Sequence, residues 1–144
     1  MKVQDLLSTK GSDVATVEPD ATIPTAIERL KQRGIGAMVV SETGSDLAGI
    51  ISERDVVRGL AAHGDKLLTM RVSDLMTVEV KTCAPDDNIN DVMSIMTNSR
   101  IRHLPVAVDG KLTGIISIGD VVKHRLEELE EETHSLRDYI VGRA

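Results

Sequence analysis

Apolar and polar positions along this chain follow two alternating periods, and the whole series occurs twice. A short β segment around Thr16 stops at Pro19. Ile23, Ala26, Ile27 and Leu30 then recur at helical spacing behind Thr22, a good N-cap residue, and Pro24 falls in the first turn, where its missing N–H does no harm. A strand is expected over 37–41, a Gly-containing turn over 42–46 and a nearly all-apolar, hence buried, strand over 47–51. A second helix starts directly after Ser52. The same order returns around Thr82 and Pro85. Asn88 is the cap, and Ile89, Val92, Met93 and Met96 form the helical stripe. Strands follow over 103–107 and 112–116, joined by the tighter turn Asp109-Gly110, and a helix opens after Ser117.

Aligned directly, residues 14–57 match 80–122 at an offset of 66 that drops to 65 after the turn. Identities include Val14/Val80, Thr16/Thr82, Pro19/Pro85, Asp20/Asp86 and Ile35/Ile101. The densest cluster is Leu-x-Gly-Ile-Ile-Ser-x-x-Asp-Val-Val, at 47–57 and again at 112–122. A fainter preface, Val3-Gln4-Asp5-Leu6-Leu7, returns as Val72-Ser73-Asp74-Leu75-Met76. We divide the chain into a lead-in (1–13), a first repeat (14–66), a second repeat with its own lead-in (67–124) and a helical extension (125–144). One unit of about 45 residues makes a marginal core. The two copies are therefore expected to pack face to face, as β-α-β-β-α units with a cleft between them.

From Ile118 to about Val141 the pattern is one long helix. Val122, Leu126, Leu129, Thr133, Leu136 and Ile140 form a heptad seam with one polar interruption, and glutamates fill the other faces. Two readings stand: a helix packed on its own module, or a dimer contact. The seam outruns the repeat, which favours the dimer.

Composition narrows the function. With a net charge of −6, the chain lacks the basic balance that phosphate backbones attract. It has no Trp, no Phe and one Tyr, so no aromatic platform exists for stacking single-stranded bases. Nucleic acid is not expected as a partner. No run approaches the roughly 20 apolar residues of a membrane span, and the N-terminus has no signal-peptide core. By default these absences point to the cytoplasm. Cys83 is the lone cysteine, expected as a buried small hydrophobe, and His63, His103, His124 and His134 lack metal-ligand spacing. Gly34-Ile35-Gly36 lacks a third glycine and precedes a strand, so it is no dinucleotide loop. No nucleophile–base pair can be named, so neither catalytic residues nor a metal is expected.

The paired Gly-Ile-Ile-Ser-x-x-Asp-Val-Val motifs, with the run Arg-Ile-Arg-His-Leu-Pro-Val at 100–106, resemble the cystathionine-β-synthase (CBS) domain family. Two copies in tandem resemble a CBS pair, or Bateman module. The resemblance covers residues 3 to about 123, which suggests a stand-alone bacterial module. It implies an α/β regulatory domain that binds adenosine-containing ligands in the cleft between repeats. AMP, ADP or ATP are the ligands so implied, with NAD(H) or S-adenosylmethionine in some members. It also implies a disc-shaped homodimer that signals to a regulated protein of unknown identity.

Candidate site residues follow from that likeness. Ser-x-x-Asp at a strand-to-helix junction has a plain explanation as a capping box. The same geometry offers a helix N-terminus to a phosphate. The resemblance assigns Asp55 and Asp120 to ribose hydroxyls and sets Ser52 and Ser117 near phosphates, so two nucleotide sites are implied. Around these lips the copies diverge. Ile35, Gly36, Ala37 and Met38 stand where copy two has Ile101, Arg102, His103, Leu104 and Pro105. By resemblance this strand lines the adenine pocket. Arg100, Arg102 and His103 are candidates to supply positive charge, unless they form a solvated turn. Arg54 can reach a phosphate, whereas its counterpart region Ile118-Gly119 lets a ligand approach the backbone. Thr16 and Thr82 border the adenine site by resemblance, or are ordinary strand threonines. The two sites are expected to differ. The competing reading is a ligand-free structural or adaptor dimer.

Overall fold

The computed structural model describes residues 1–11 and 13–142. Ser12, Arg143 and Ala144 lie outside them, and with them one residue of the lead-in and the end of the expected extension. Eleven labelled elements follow one another. A helix α1 (Val3–Lys10) precedes strand β1 (Thr16–Val17), helix α2 (Ile23–Arg33), strands β2 (Ala37–Val40) and β3 (Gly49–Ser52) and helix α3 (Glu53–His63). After a 3-10 turn at Gly64–Thr69 come α4 (Val72–Leu75), α5 (Ile89–Ser99), β4 (His103–Val108), β5 (Lys111–Ser117) and the long α6 (Ile118–Ile140).

Local chemistry accounts for most of these bounds. Thr22 Oγ1 accepts from the Thr25 N–H and Asn88 Oδ1 from the Asn90 N–H, capping α2 and α5. Both helices end on a left-handed residue, Gly34 and its repeat partner Arg100 (φ 54°). Asp109 and Gly110 both take positive φ, the geometry that matches a two-residue hairpin to strand twist. In copy one the longer turn is organised by Asp46, whose carboxylate accepts from Ser41 Oγ (2.6 Å) and from the N–H and hydroxyl of Thr43. The buried Ser41 hydroxyl thereby has its partner.

The strands are β1-β2-β3 in one sheet and β4-β5 in the other. The expected first strand of copy two is reduced to a single bridge, Cys83 to Val106. Thr82 itself is exposed. The pairing register sets Ala37 opposite Ser52 and His103 opposite Ser117, so each strand start lies beside the N-terminus of a helix.

Each sheet packs on its own aliphatic core. Val17, Ile23, Ala26, Leu30, Met38 and Ile51 fill one, and Ile89, Val92, Met96, Leu104, Val106 and Ile116 the other. The lead-ins cross over. Val3 and Leu6 of α1 complete the core of the second repeat, whereas Leu67 and Val72 complete that of the first. Backbone hydrogen bonds hold the exchange: Val3 N–H to Asp87 O and Ile89 N–H to Met1 O on one side, Ile23 N–H to Met70 O and Val72 N–H to Ala21 O on the other. The faint preface repeat is thus a pair of short helices, each closing the core of the other copy.

The repeated glycine of the motif has a packing reason. A Cβ on Gly49 would lie 2.7 Å from the Thr77 carbonyl oxygen, and one on Gly114 would lie 2.9 Å from the Leu7 side chain. A side chain can move aside where a paired backbone cannot. Gly49→Ala is therefore expected to destabilise by about 1–3 kcal/mol and Gly114→Ala by less. Chemical denaturation of the two variants checks the order; equal losses would reject this account.

Candidate functional site

Both Ser-x-x-Asp motifs form complete capping boxes. Ser52 Oγ accepts from the Asp55 N–H and Asp55 Oδ2 from the Ser52 N–H (2.9 Å). Ser117 and Asp120 do the same. The plain explanation of the motif therefore holds in both copies. What differs is the surroundings of each carboxylate.

At Asp55 a cavity of about 380 Å³ opens between the repeats. Its near wall is Gly36, Ala37, Ile50 and the start of α3, with Ser52, Glu53, Arg54, Asp55 and Arg58. Its far wall comes from copy two: Thr77, Glu79, Val80 and Lys81 after α4, and Ser99 to His103 at the junction of α5 and β4. Among the described residues, Asp55 Oδ1 has one long hydrogen bond, from Thr77 Oγ1 at 3.4 Å. Five cations, Arg54, Arg58, Lys81, Arg100 and Arg102, line this space with three acids, Glu53, Asp55 and Glu79, a local excess of positive charge in an acidic protein. The Arg54 guanidinium donates to the Arg100 carbonyl (2.9 Å), and Lys81 Nζ to Ser99 Oγ (2.7 Å). Arg100 itself sits in the left-handed region, which costs a residue with a Cβ about 1–2 kcal/mol. Such strain is concentrated at functional sites.

At Asp120 the carboxylate is taken. Lys10, at the end of α1, donates to Asp120 Oδ2 (2.5 Å) and to the Ile115 carbonyl (2.6 Å). Both side chains are about three-quarters buried. Burial opposes ionisation of Asp120. Hydrogen bonds from Lys10 and from the Ser117 N–H and hydroxyl outweigh it and hold the carboxyl below its usual range. The preface alignment sets Lys10 opposite Glu79, so the cation at one lip replaces an acid at the other.

The expected residues thus separate. Gly36, Ala37, Ser52, Arg54, Asp55, Arg100, Arg102 and His103 come together at one cavity. Ser117 and Asp120 form the second lip, with Ile118 half-buried against the core and Gly119 exposed. Met38 and Leu104 are fully buried core residues, and Pro105 is buried beside Leu104. Ile35 packs on the first core. Thr16 offers its carbonyl to Arg29 and, like the exposed Thr82, is not in the cavity lining. Burial pushes the His103 pKa down, and Lys10 nearby acts in the same direction. The arginines and Lys81 bring positive charge to the same lining. Sequence reasoning missed Arg58, Thr77, Glu79, Lys81 and Ser99. Thr77, Glu79 and Lys81 follow α4 in a segment with neither helical nor strand period, and nothing local signals that it crosses the cleft.

Comparison with known proteins accords with this architecture. The CBS domain family model matches residues 3–62 and 72–127. The crystal structure of the CBS-domain containing protein ATU1752 from Agrobacterium tumefaciens is similar at 46% identity and a TM-score of 0.83, covering 87% of this chain and 99% of that one. The CBS domain-containing protein CBSX3, mitochondrial, of Arabidopsis thaliana is 36% identical over 97% of this chain and 72% of its own length. The CBS domain pair of protein MJ0100, solved in complex with 5′-methylthioadenosine and S-adenosyl-L-methionine, shares the fold at 23% identity and a TM-score of 0.78, over 89% of this chain and 98% of that one. Among the described residues, no helix is long and apolar enough to cross a membrane. With the family model matched twice and the same two-repeat architecture in the solved relatives, the chain belongs to the CBS domain family and carries two copies of that domain in tandem.

Proposed function

We propose that this chain is a regulatory module that binds one adenine nucleotide in the Asp55 cavity, without turning it over. One observation carries the reading: a carboxylate with an oxygen to spare, at the N-terminus of α3, faces a cluster of cations supplied by the other repeat. The cavity volume of about 380 Å³ falls within the roughly 300–1,000 Å³ of small-ligand pockets. Asp55 accepts the two ribose hydroxyls. The α3 N-terminus, with Arg54, Arg58, Arg100, Arg102 and Lys81, neutralises phosphate. Gly36, Ala37 and Ile50 offer a small apolar wall to the adenine ring. AMP, ADP and ATP share these features, and NAD(H) presents the same adenylate half. The adenosine ligands named for the MJ0100 pair support the ligand class.

A ligand here touches both repeats, so its binding energy depends on how they pack. That dependence is what a sensor needs: a ligand that favours one packing shifts the population toward it. The signal then passes through a homodimer to a regulated partner. The satisfied capping boxes favour a second reading, an adaptor dimer in which the motifs only stabilise helices.

Spectroscopy separates the two. With no Trp and one Tyr, the protein absorbs weakly near 280 nm, so retained adenine shows near 260 nm and NADH near 340 nm. Bound nucleotide, or a thermal shift on adding AMP, is expected. No retained nucleotide and no shift with AMP, ATP or NADH would leave the adaptor.

His103 adds a pH dependence. Its pKa is depressed in the free chain, and a bound phosphate raises it again. Between those two values the complex takes up a proton. AMP affinity should therefore strengthen as pH falls from the raised value of the complex toward the depressed value of the free chain, and His103→Gln should remove that part of the trend. Calorimetry in buffers of different ionisation heat reads the proton uptake; an unchanged slope in the variant removes His103 from the site.

A further inference from the structure

We infer that the exposed seam of α6 pairs in parallel with the α6 of a second copy, as a short two-stranded coiled coil. This goes beyond nucleotide binding and does not depend on it. The helix has 23 residues, against 11 in its repeat counterpart α3. Its apolar stripe is not covered by its own module: Leu126, Leu129, Leu136 and Ile140 are all more than half exposed. Spacing puts Leu126, Thr133 and Ile140 at the a positions of a heptad, and Val122, Leu129 and Leu136 at d.

Charge selects both the partner and its direction. In that frame the g positions include Arg125 and Glu132 and the e positions Glu130 and Arg137. In a parallel pair each g residue faces the e residue five positions on in its partner. Arg125 then meets Glu130 and Glu132 meets Arg137, and symmetry gives every pair twice. In an antiparallel pair with the seam fully overlapped, e faces e and g faces g. Glu130 would meet Glu130, Glu132 would meet Glu132, and Lys123 would meet Arg137. Only the parallel arrangement is free of like-charge contacts. The outer b, c and f positions (Glu127, Glu128, Glu131, His134, Ser135, Asp138) are all polar. Arg125 also donates to Glu128 on its own helix, so it exchanges one acidic partner for another.

The test is disulfide trapping in the full chain. Ile140→Cys places a thiol at an exposed seam position that meets its own copy only in a parallel pair. The native Cys83 is buried, with its thiol pushed up to about 11, and serves as the internal control in the unsubstituted chain. Under mild oxidation Ile140→Cys should give mostly covalent dimer. Adding Glu130→Arg and Glu132→Arg should suppress that dimer at least several-fold. Mixing that chain with one carrying Ile140→Cys, Arg125→Glu and Arg137→Glu should restore it as a heterodimer. The inference is overturned if Ile140→Cys cross-links no more than the unsubstituted chain. It is equally overturned if Ile140→Cys links instead to a Val122→Cys chain, or if charge reversal has no effect. AMP titration of the same variants reports on the nucleotide site separately, because none of these residues lines the cavity.

Discussion

Asp55→Asn should weaken AMP binding roughly 30- to 100-fold, the loss of about 2–3 kcal/mol expected when a carboxylate no longer accepts two ribose hydroxyls. Asparagine keeps one oxygen for the Ser52 N–H, so the capping box and the start of α3 survive. The unfolding midpoint should therefore stay close to that of the native chain, which separates lost recognition from lost structure. Asp120→Asn should change AMP affinity by less than about twofold, because Lys10 already occupies that carboxylate. Isothermal titration of both variants gives the comparison. If Asp120→Asn lost affinity and Asp55→Asn did not, the ligand would belong at the other lip.

Lys10→Met should raise the stoichiometry of AMP from one per chain toward two. Methionine keeps the apolar stem of the side chain but frees Asp120, and the Ser117 lip then resembles the Ser52 lip. The same substitution should destabilise the chain by about 1–3 kcal/mol at neutral pH, since it leaves a largely buried carboxylate without its cation. The sign of the pH dependence follows from Asp120. Its folded-state pKa lies below the ordinary 3.8, so the contribution of the pair is fully present above that value. It is lost as pH falls through the depressed folded value. Native and Lys10→Met chains should thus differ in denaturant midpoint at pH 7, begin to approach each other only below the ordinary 3.8, and converge once pH has fallen through the depressed folded value. A stoichiometry that stays at one would mean that something other than Lys10 closes the second lip. Adding Asp120→Asn to Lys10→Met should return the count to one.

The resemblance implies two nucleotide sites because both copies carry Ser-x-x-Asp, with ligand held in the cleft between them. The lining of the Asp55 cavity is shared between the repeats in that way. The Arg100-Ile101-Arg102-His103 run belongs to the second copy but faces Asp55 of the first. Lys10 and Asp120, 110 residues apart, meet because α1 packs on the second repeat. One signal for this was present: the preface repeats at an offset of 69, not 66, and sets Lys10 opposite Glu79. The direction in which the lead-ins exchange has no such signal.

The amino-acid sequence by itself determined the repeat, the order of its helices and strands apart from the two lead-in helices and the first strand of copy two, the capped helix starts at Ser52 and Ser117, the aliphatic cores and the reach of α6. These rest on periodicity and capping, which act over a few residues and leave a local record. Tertiary structure alone decided which of two matching carboxylates stays open. It also decided that burial lowers the His103 pKa and that the α6 seam is left uncovered. Those outcomes depend on which distant segment arrives beside a residue, and two copies with the same motif hold the same local information about that.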